Sequence, residues 1–266
     1  MQPSRYLKTI FLWLSLAPIT LSIAFSQEVK IYKNKAEAFS VGFFSGAVGW
    51  TFPKGEIGNR YGSFMNTNLD LGWKFKSNLF VMMEFTFQFG HQNDKKRQEV
   101  LSEMIAPDAT DGFIISTDGS DAGVASYNRN FAGSVKAGKI FPLFKSHPNS
   151  GIMLGFSAGL LQYQTIFMPT YAHAPQIEGD YARGYDRQMR GFMGGVFLGY
   201  WHMSASRFKN FYAGMEVNVA WTKSTRKYQF DLKGPDNRNY IDQMYTLKAG
   251  WVIPFHGRSA EKIYFH

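Results

Sequence analysis

The chain has 266 residues, with 29 Lys or Arg against 20 Asp or Glu, 17% aromatic residues, 26 glycines and no cysteine. This profile excludes disulfide staples, thiolate metal sites and thiol redox chemistry, is unlike that of a helical enzyme, and fits one all-β domain. The net charge of +9 favours anionic surfaces such as phosphorylated lipid headgroups, and no nucleic-acid motif competes with that reading.

Residues 1–26 read as a cleavable secretory signal peptide. Arg5 and Lys8 form a basic start, "IFLWLSLAPITLSIA" an apolar middle, and "AFS" before Gln27 a small-residue cleavage site. Its removal leaves 27 basic residues against 20 acidic ones, a surplus of seven. Residues 27–38 read as a lead-in on the periplasmic side. No later apolar run approaches the roughly 18 residues of a membrane helix, so a mature chain that crosses a membrane must do so as a closed barrel.

The alternation predicts eight strands, at Phe39–Phe52, Ser63–Phe75, Leu79–Gly90, Tyr127–Phe141, Gly151–Phe167, Arg190–Met203, Asn210–Thr222 and Tyr240–Phe255. In the second, "NTNLDLGWKF", Leu69, Leu71, Trp73 and Phe75 share one face and Asn68, Asp70 and Lys74 the other. The third, seventh and eighth alternate as cleanly, while glycine blurs the fourth to sixth. The segments match or exceed the length a tilted membrane strand needs, about 9–11 residues, and exceed ordinary soluble strands. Their connections alternate: "KSN", "PLFKSHPNS" and "SASRFK" are short, and 92–126, 168–189 and 223–239 are long. Trp73, Phe75, Phe211, Trp221, Trp251 and Phe255 fall at strand ends on apolar faces, where an interfacial aromatic girdle belongs.

On these features the chain resembles the small eight-stranded outer-membrane barrels, the OmpA-transmembrane-domain-like and OmpX-like families, over Phe39 to Phe255. The resemblance implies an eight-stranded antiparallel up-and-down transmembrane β-barrel in the bacterial outer membrane, with both termini periplasmic. It implies a non-enzymatic protein of envelope structure or of partner and ligand binding. Residues 256–266, "HGRSAEKIYFH", run past the point where that family's last strand commonly ends and read as a periplasmic tail.

In such a barrel Asp70, Lys74, Glu84, Lys136, Glu216 and Lys248 face inward. Three acids and three bases in a narrow interior must pair, because an isolated buried charge costs several kcal/mol. A salt-bridged plug is therefore expected rather than a wide pore, with a gated ion or proton path as the alternative. His202, Ser204 and Glu216 are similar in spacing to the base, nucleophile and orienting acid of outer-membrane lipid A 3-O-deacylases. In place of that family's Asn after the serine stands Ala205, so an oxyanion donor is missing. A soluble lipocalin-like lipid binder is the third reading, in which the Leu69, Leu71 and Trp73 face would line a cavity.

The aspartates at 108, 111, 118 and 121 lack the EF-hand spacing and read as a solvated loop, so neither metal nor cofactor is expected. Arg183, Arg187 and Arg190, then Lys223, Arg226 and Lys227, make the later loops basic and suit lipopolysaccharide phosphates. Further expected partners are outer-membrane lipid, the assembly machinery during biogenesis, and a protein bound through loops or tail.

Overall fold

The computed structural model describes residues 38–91, 94–105, 113–204 and 208–255, so the leader, the lead-in up to residue 37 and the tail lie outside the described residues. Eight strands are present: β1 Val41–Lys54, β2 Phe64–Lys74, β3 Leu79–His91, β4 Val124–Pro142, β5 Gly151–Pro169, β6 Met189–His202, β7 Phe211–Ser224 and β8 Asn239–Phe255. Each pairs antiparallel with the next, and β8 returns to β1, closing an up-and-down barrel with no free sheet edge. Starting at Pro142 and following cross-strand partners through Gly151, Trp201, Tyr212, Gly250, Ala47, Asn68 and Thr86 leads back to β4 at Ala132. The rows of partners thus climb ten residues, from position 142 to 132, toward the long loops in one circuit.

The strand period decides which face meets which medium. Leu69, Leu71 and Trp73 point outward and are 57%, 53% and 42% exposed, whereas Asn66, Asn68, Asp70 and Lys74 point inward and are at most 2% exposed. Phe44, Val48, Met83, Phe85, Phe156, Leu198 and Leu247 continue the apolar exterior around the ring. A polar inside beneath an apolar outside is the surface a barrel presents to lipid. The Leu69, Leu71 and Trp73 face therefore does not line an interior cavity, against the lipocalin-like expectation.

Strand existence and order agree with the sequence reading; the bounds move. β4 begins at Val124 rather than Tyr127, and β4 and β5 each run 19 residues, well past the ends of β3 and β6. In the first connection a short helix, α1 Glu56–Tyr61, sits between Gly55 and Gly62, whose φ values of 85° and 65° favour glycine. A second helix, α2 Asp94–Leu101, follows β3, and a single turn, α3 Ala182–Tyr185, precedes β6. In the β2–β3 turn Asn78, at φ 60°, closes a bond from its N–H to the Phe75 carbonyl, and its side-chain amide donates to the Pro148 carbonyl of the next short turn.

The interior is layered rather than polar throughout. At the short-turn end Phe43, Phe80, Ile140, Phe197, Trp201, Tyr212 and Val252 form an apolar floor. Along the inward face of β6, Met189, Met193, Phe197 and Trp201 alternate with Gly191, Gly195 and Gly199, so large rings fit where neighbouring positions carry no side chain. At the loop end Ile57 and Tyr61 of α1 drop onto Phe64, Leu161, Tyr163 and Met244. Above the rim, Val100 and Leu101 of α2 pack with Ile114, Ala122, Phe167 and Ile177 as a third, separate cluster.

Candidate functional site

Between floor and cap the strands hold a ring of four charges. Lys136 Nζ lies 2.8 Å from Glu84 Oε2 and 2.8 Å from Glu216 Oε1; Lys248 Nζ lies 2.8 Å from Glu84 Oε1 and 2.6 Å from Glu216 Oε2. Every carboxylate oxygen meets one ammonium, and each ammonium joins two carboxylates. Glu84 and Lys136 come from the neighbours β3 and β4, Glu216 and Lys248 from β7 and β8, on the opposite wall. The ring therefore spans the diameter of the barrel. All four side chains are at most 5% exposed, and their charges cancel. Mutual pairing is what makes such burial tolerable, since each ion alone forfeits its hydration.

Asp70 and Lys74, the other two of the six charges expected inside, lie outside this ring, which corrects the expectation of three acid–base pairs. Asp70 is the cross-strand partner of Glu84, so the lysines are already taken up by a neighbour of like sign. Its Oδ2 instead accepts from Ser45 Oγ and from Tyr212 Oη, both at 2.6 Å. Lys74 sits at the floor and meets no carboxylate among the described residues. Its Nζ donates to Asn149 Oδ1 at 2.8 Å and to the Phe39 carbonyl at 3.1 Å, and lies 5.5 Å from the Phe39 ring centre. Neutral acceptors and a ring face replace the acid there.

A second buried anchor, Asp242, shares the inward face of β8 with Lys248. It is fully buried and accepts from the Ile57 N–H at 2.9 Å, Thr222 Oγ1 at 2.7 Å and Tyr163 Oη at 3.0 Å. It ties the start of α1 into the barrel mouth. An inward aspartate opposite a Gly-flanked loop was the available signal.

His202 and Glu216 are divided by the barrel wall. The His202 ring faces outward against Tyr200 and Phe211, and the Ser204 N–H donates to Asn210 Oδ1 at 2.7 Å, while Glu216 is held inside by two lysines. The sequence spacing thus assembles no triad. In the aspartate-rich loop, Asp118 accepts from Ser116 and Ser120 and Asp121 from the Gly123 N–H, both within their own turns; positions 108 and 111 lie outside the described residues. Among the described residues no group of three potential metal ligands gathers.

Of the aromatic set, Trp73, Phe75, Phe211, Trp251 and Phe255 stand exposed at the short-turn end and Trp221 at the loop end. Trp251 Nε1 donates to the Phe208 carbonyl at 2.9 Å, so its polar atom is satisfied while its ring stays outside. The basic loop residues divide. Arg187 pairs with Asp231 and Asp236, Arg226 with Asp186, and Arg183 with Asp180. Arg190, Lys223 and Lys227 are exposed and have no acidic partner among the described residues.

No protein-family model matches the chain, and no curated protein matches its sequence. Among solved structures it is similar to Neisserial surface protein A (NspA), at 12% identity and a TM-score of 0.41 over 80% of this chain and 97% of that one. It is also similar to Ail, the attachment invasion locus protein of Yersinia pestis, at 10% identity and a TM-score of 0.42 over 81% and 99%. The N-terminal β-barrel domain of Pseudomonas aeruginosa OprF gives 12% identity and a TM-score of 0.32 over 79% and 97%. The chain's own strand order, register and facing make it an eight-stranded up-and-down transmembrane β-barrel.

Proposed function

We propose that this chain is an integral protein of the bacterial outer membrane, exported by a cleaved leader, with periplasmic termini. In this reading it is neither a pore nor an enzyme: it serves envelope structure or binds a partner through its folded outer loops. The observation that carries the reading is the cross-diameter ring of Glu84, Lys136, Glu216 and Lys248 inside an apolar exterior, which supports a barrel filled rather than hollow. The loop platform is supported by the cluster of Val100, Leu101, Ile114, Phe167 and Ile177, a core of its own above the rim. Contact with lipopolysaccharide phosphates falls to Arg190, Lys223 and Lys227, because Arg183, Arg187 and Arg226 already have aspartate partners. The assembly machinery would meet the final strand, which ends on the exposed Phe255.

Fractionation tests the location. The protein is expected in the outer membrane, extractable only with detergent, and to migrate differently on gels before and after boiling. Recovery as a freely soluble periplasmic or secreted protein overturns the reading.

A further inference from the structure

The outward strand positions carry no acidic residue. Their charges are Lys54, Arg129, Arg190 and Lys223 toward the loop end and Lys139 toward the turn end. Arg190 and Lys223 are direct cross-strand partners, and like charges so placed repel each other. Gln162 Oε1 accepts from Arg190 Nε at 3.1 Å and Nη2 at 2.5 Å, which aims the guanidinium along the barrel wall and leaves Nη1 without a partner among the described residues.

Beside this pair an apolar groove of about 500 Å³ crosses the exterior from β6 to β2. It runs between two register rows, Thr67, Phe87, Phe131, Gln162, Arg190 and Leu69, Phe85, Gly133, Leu160. Gly133 opens its middle, since a Cβ there would meet only the Phe85 ring at 3.9 Å. Because the rows climb toward the loops with increasing strand number, the Arg190 end is the high end, which in an outer-membrane barrel falls toward headgroup level. The Leu69 end lies nearer the short turns, deeper in the apolar band of such a barrel. The groove therefore descends from two unneutralised cations into the apolar band, the shape of one acyl chain below one phosphate.

We propose that this groove is a lipid site: it seats an acyl chain of a phosphorylated outer-leaflet lipid of the lipid A type, whose phosphate lies between Arg190 and Lys223. The site deepens the outer-membrane reading and rests on it. Phosphate relieves the Arg190–Lys223 repulsion by charge-assisted hydrogen bonds to both, and the groove replaces random annular contacts with a fixed one.

Folded barrel in detergent micelles would be titrated with bisphosphorylated lipid A and read by native mass spectrometry. One lipid A bound per barrel is expected, with binding weakened about tenfold or more in Arg190→Gln/Lys223→Gln. Gly133→Leu, which fills the groove and leaves both cations, is expected to lose binding to a similar degree. Arg183→Gln, at an exposed and already paired cation, is expected to bind as the wild type does. Dephosphorylated lipid A should bind about tenfold more weakly, and millimolar inorganic phosphate should not displace the intact lipid. The heat-dependent gel shift certifies that each variant is folded, and separates failure of this site from failure of the barrel reading. Equal binding by the wild type and both variants overturns the proposal, as does indifference to the lipid's phosphate or displacement by inorganic phosphate alone.

Discussion

Four side chains close the middle of this barrel, and their arrangement makes single removals costly in a specific way. Lys248 neutralises one oxygen of Glu84 and one of Glu216, so Lys248→Met leaves two buried carboxylates facing one ammonium. The loss should be about 3–5 kcal/mol, the usual result of breaking one partner out of a buried ion pair. Lys248→Met/Glu216→Gln removes one charge of each sign and leaves Glu84 paired with Lys136, so it should recover most of that loss. Urea unfolding of the protein refolded in lipid vesicles measures both, and a double variant no more stable than the single would sink the account. Five of the six charges were legible from strict alternation in β2, β3, β7 and β8, and Lys136 from the less regular pattern of β4. That Asp70 and Lys74 stand apart was not legible: their partners, Ser45, Tyr212, Asn149 and Phe39, come from strands and turns far off in sequence. Spacing along one strand reports facing, and only register and barrel height report who meets whom.

At the scale of elements, the loops are the part that alternation could not read. The aspartate-rich part of the 92–126 connection reads as solvated by its turn-forming composition, yet Ile114 and Ala122 within it are buried, together with Val100 and Leu101 before it, against β5 and the turn after it. Apolar residues that meet only through tertiary folding show no period of 2 or 3.6. The last two loops are clipped together by ion pairs. Arg187, just before β6, reaches Asp231 and Asp236 before β8, and Arg226 reaches back to Asp186. Burial works against the charge on Asp236, but hydrogen bonds from Arg238 and Tyr240 outweigh it and bring its carboxyl down to about 2. An aspartate in an unfolded loop titrates near about 3.9. A folded-state value below the unfolded one means that this contribution is complete above about pH 4 and is lost as the pH falls toward 2. Hydrogen exchange over residues 225–238 should therefore be flat from neutral pH to about pH 4, after correction for intrinsic rates, and rise steeply below it. Asp236→Asn should remove that acid dependence; a transition centred near pH 6 in the wild type would rule Asp236 out as its source.

The whole molecule inverts the usual order of a soluble domain, and this gives its filled lumen a particular logic. Apolar residues inside a lipid-facing barrel gain nothing from leaving the membrane; what they do is exclude water from the axis. Here that exclusion is applied twice, by Phe43, Phe197, Trp201 and Tyr212 at the floor and by Ile57, Tyr61 and Tyr163 under α1, with the charged ring between. Asp242 holds α1 in the mouth by accepting its Ile57 N–H, so the cap is bonded to the wall as well as packed against it. An ion path would have to break all three layers at once. In planar bilayers the wild type should carry no steady current, and neither Glu84→Gln nor Lys248→Met should create one, because the floor and cap survive loss of the ring. Combining Lys248→Met with Trp201→Ala, which removes the largest floor side chain, and Asp242→Ala, which frees α1, should give a measurable leak. Discrete cation-selective steps in the wild type, abolished by Glu84→Gln, would instead make the four charges a conducting site, and the barrel would have to open in the membrane in a way its packing opposes.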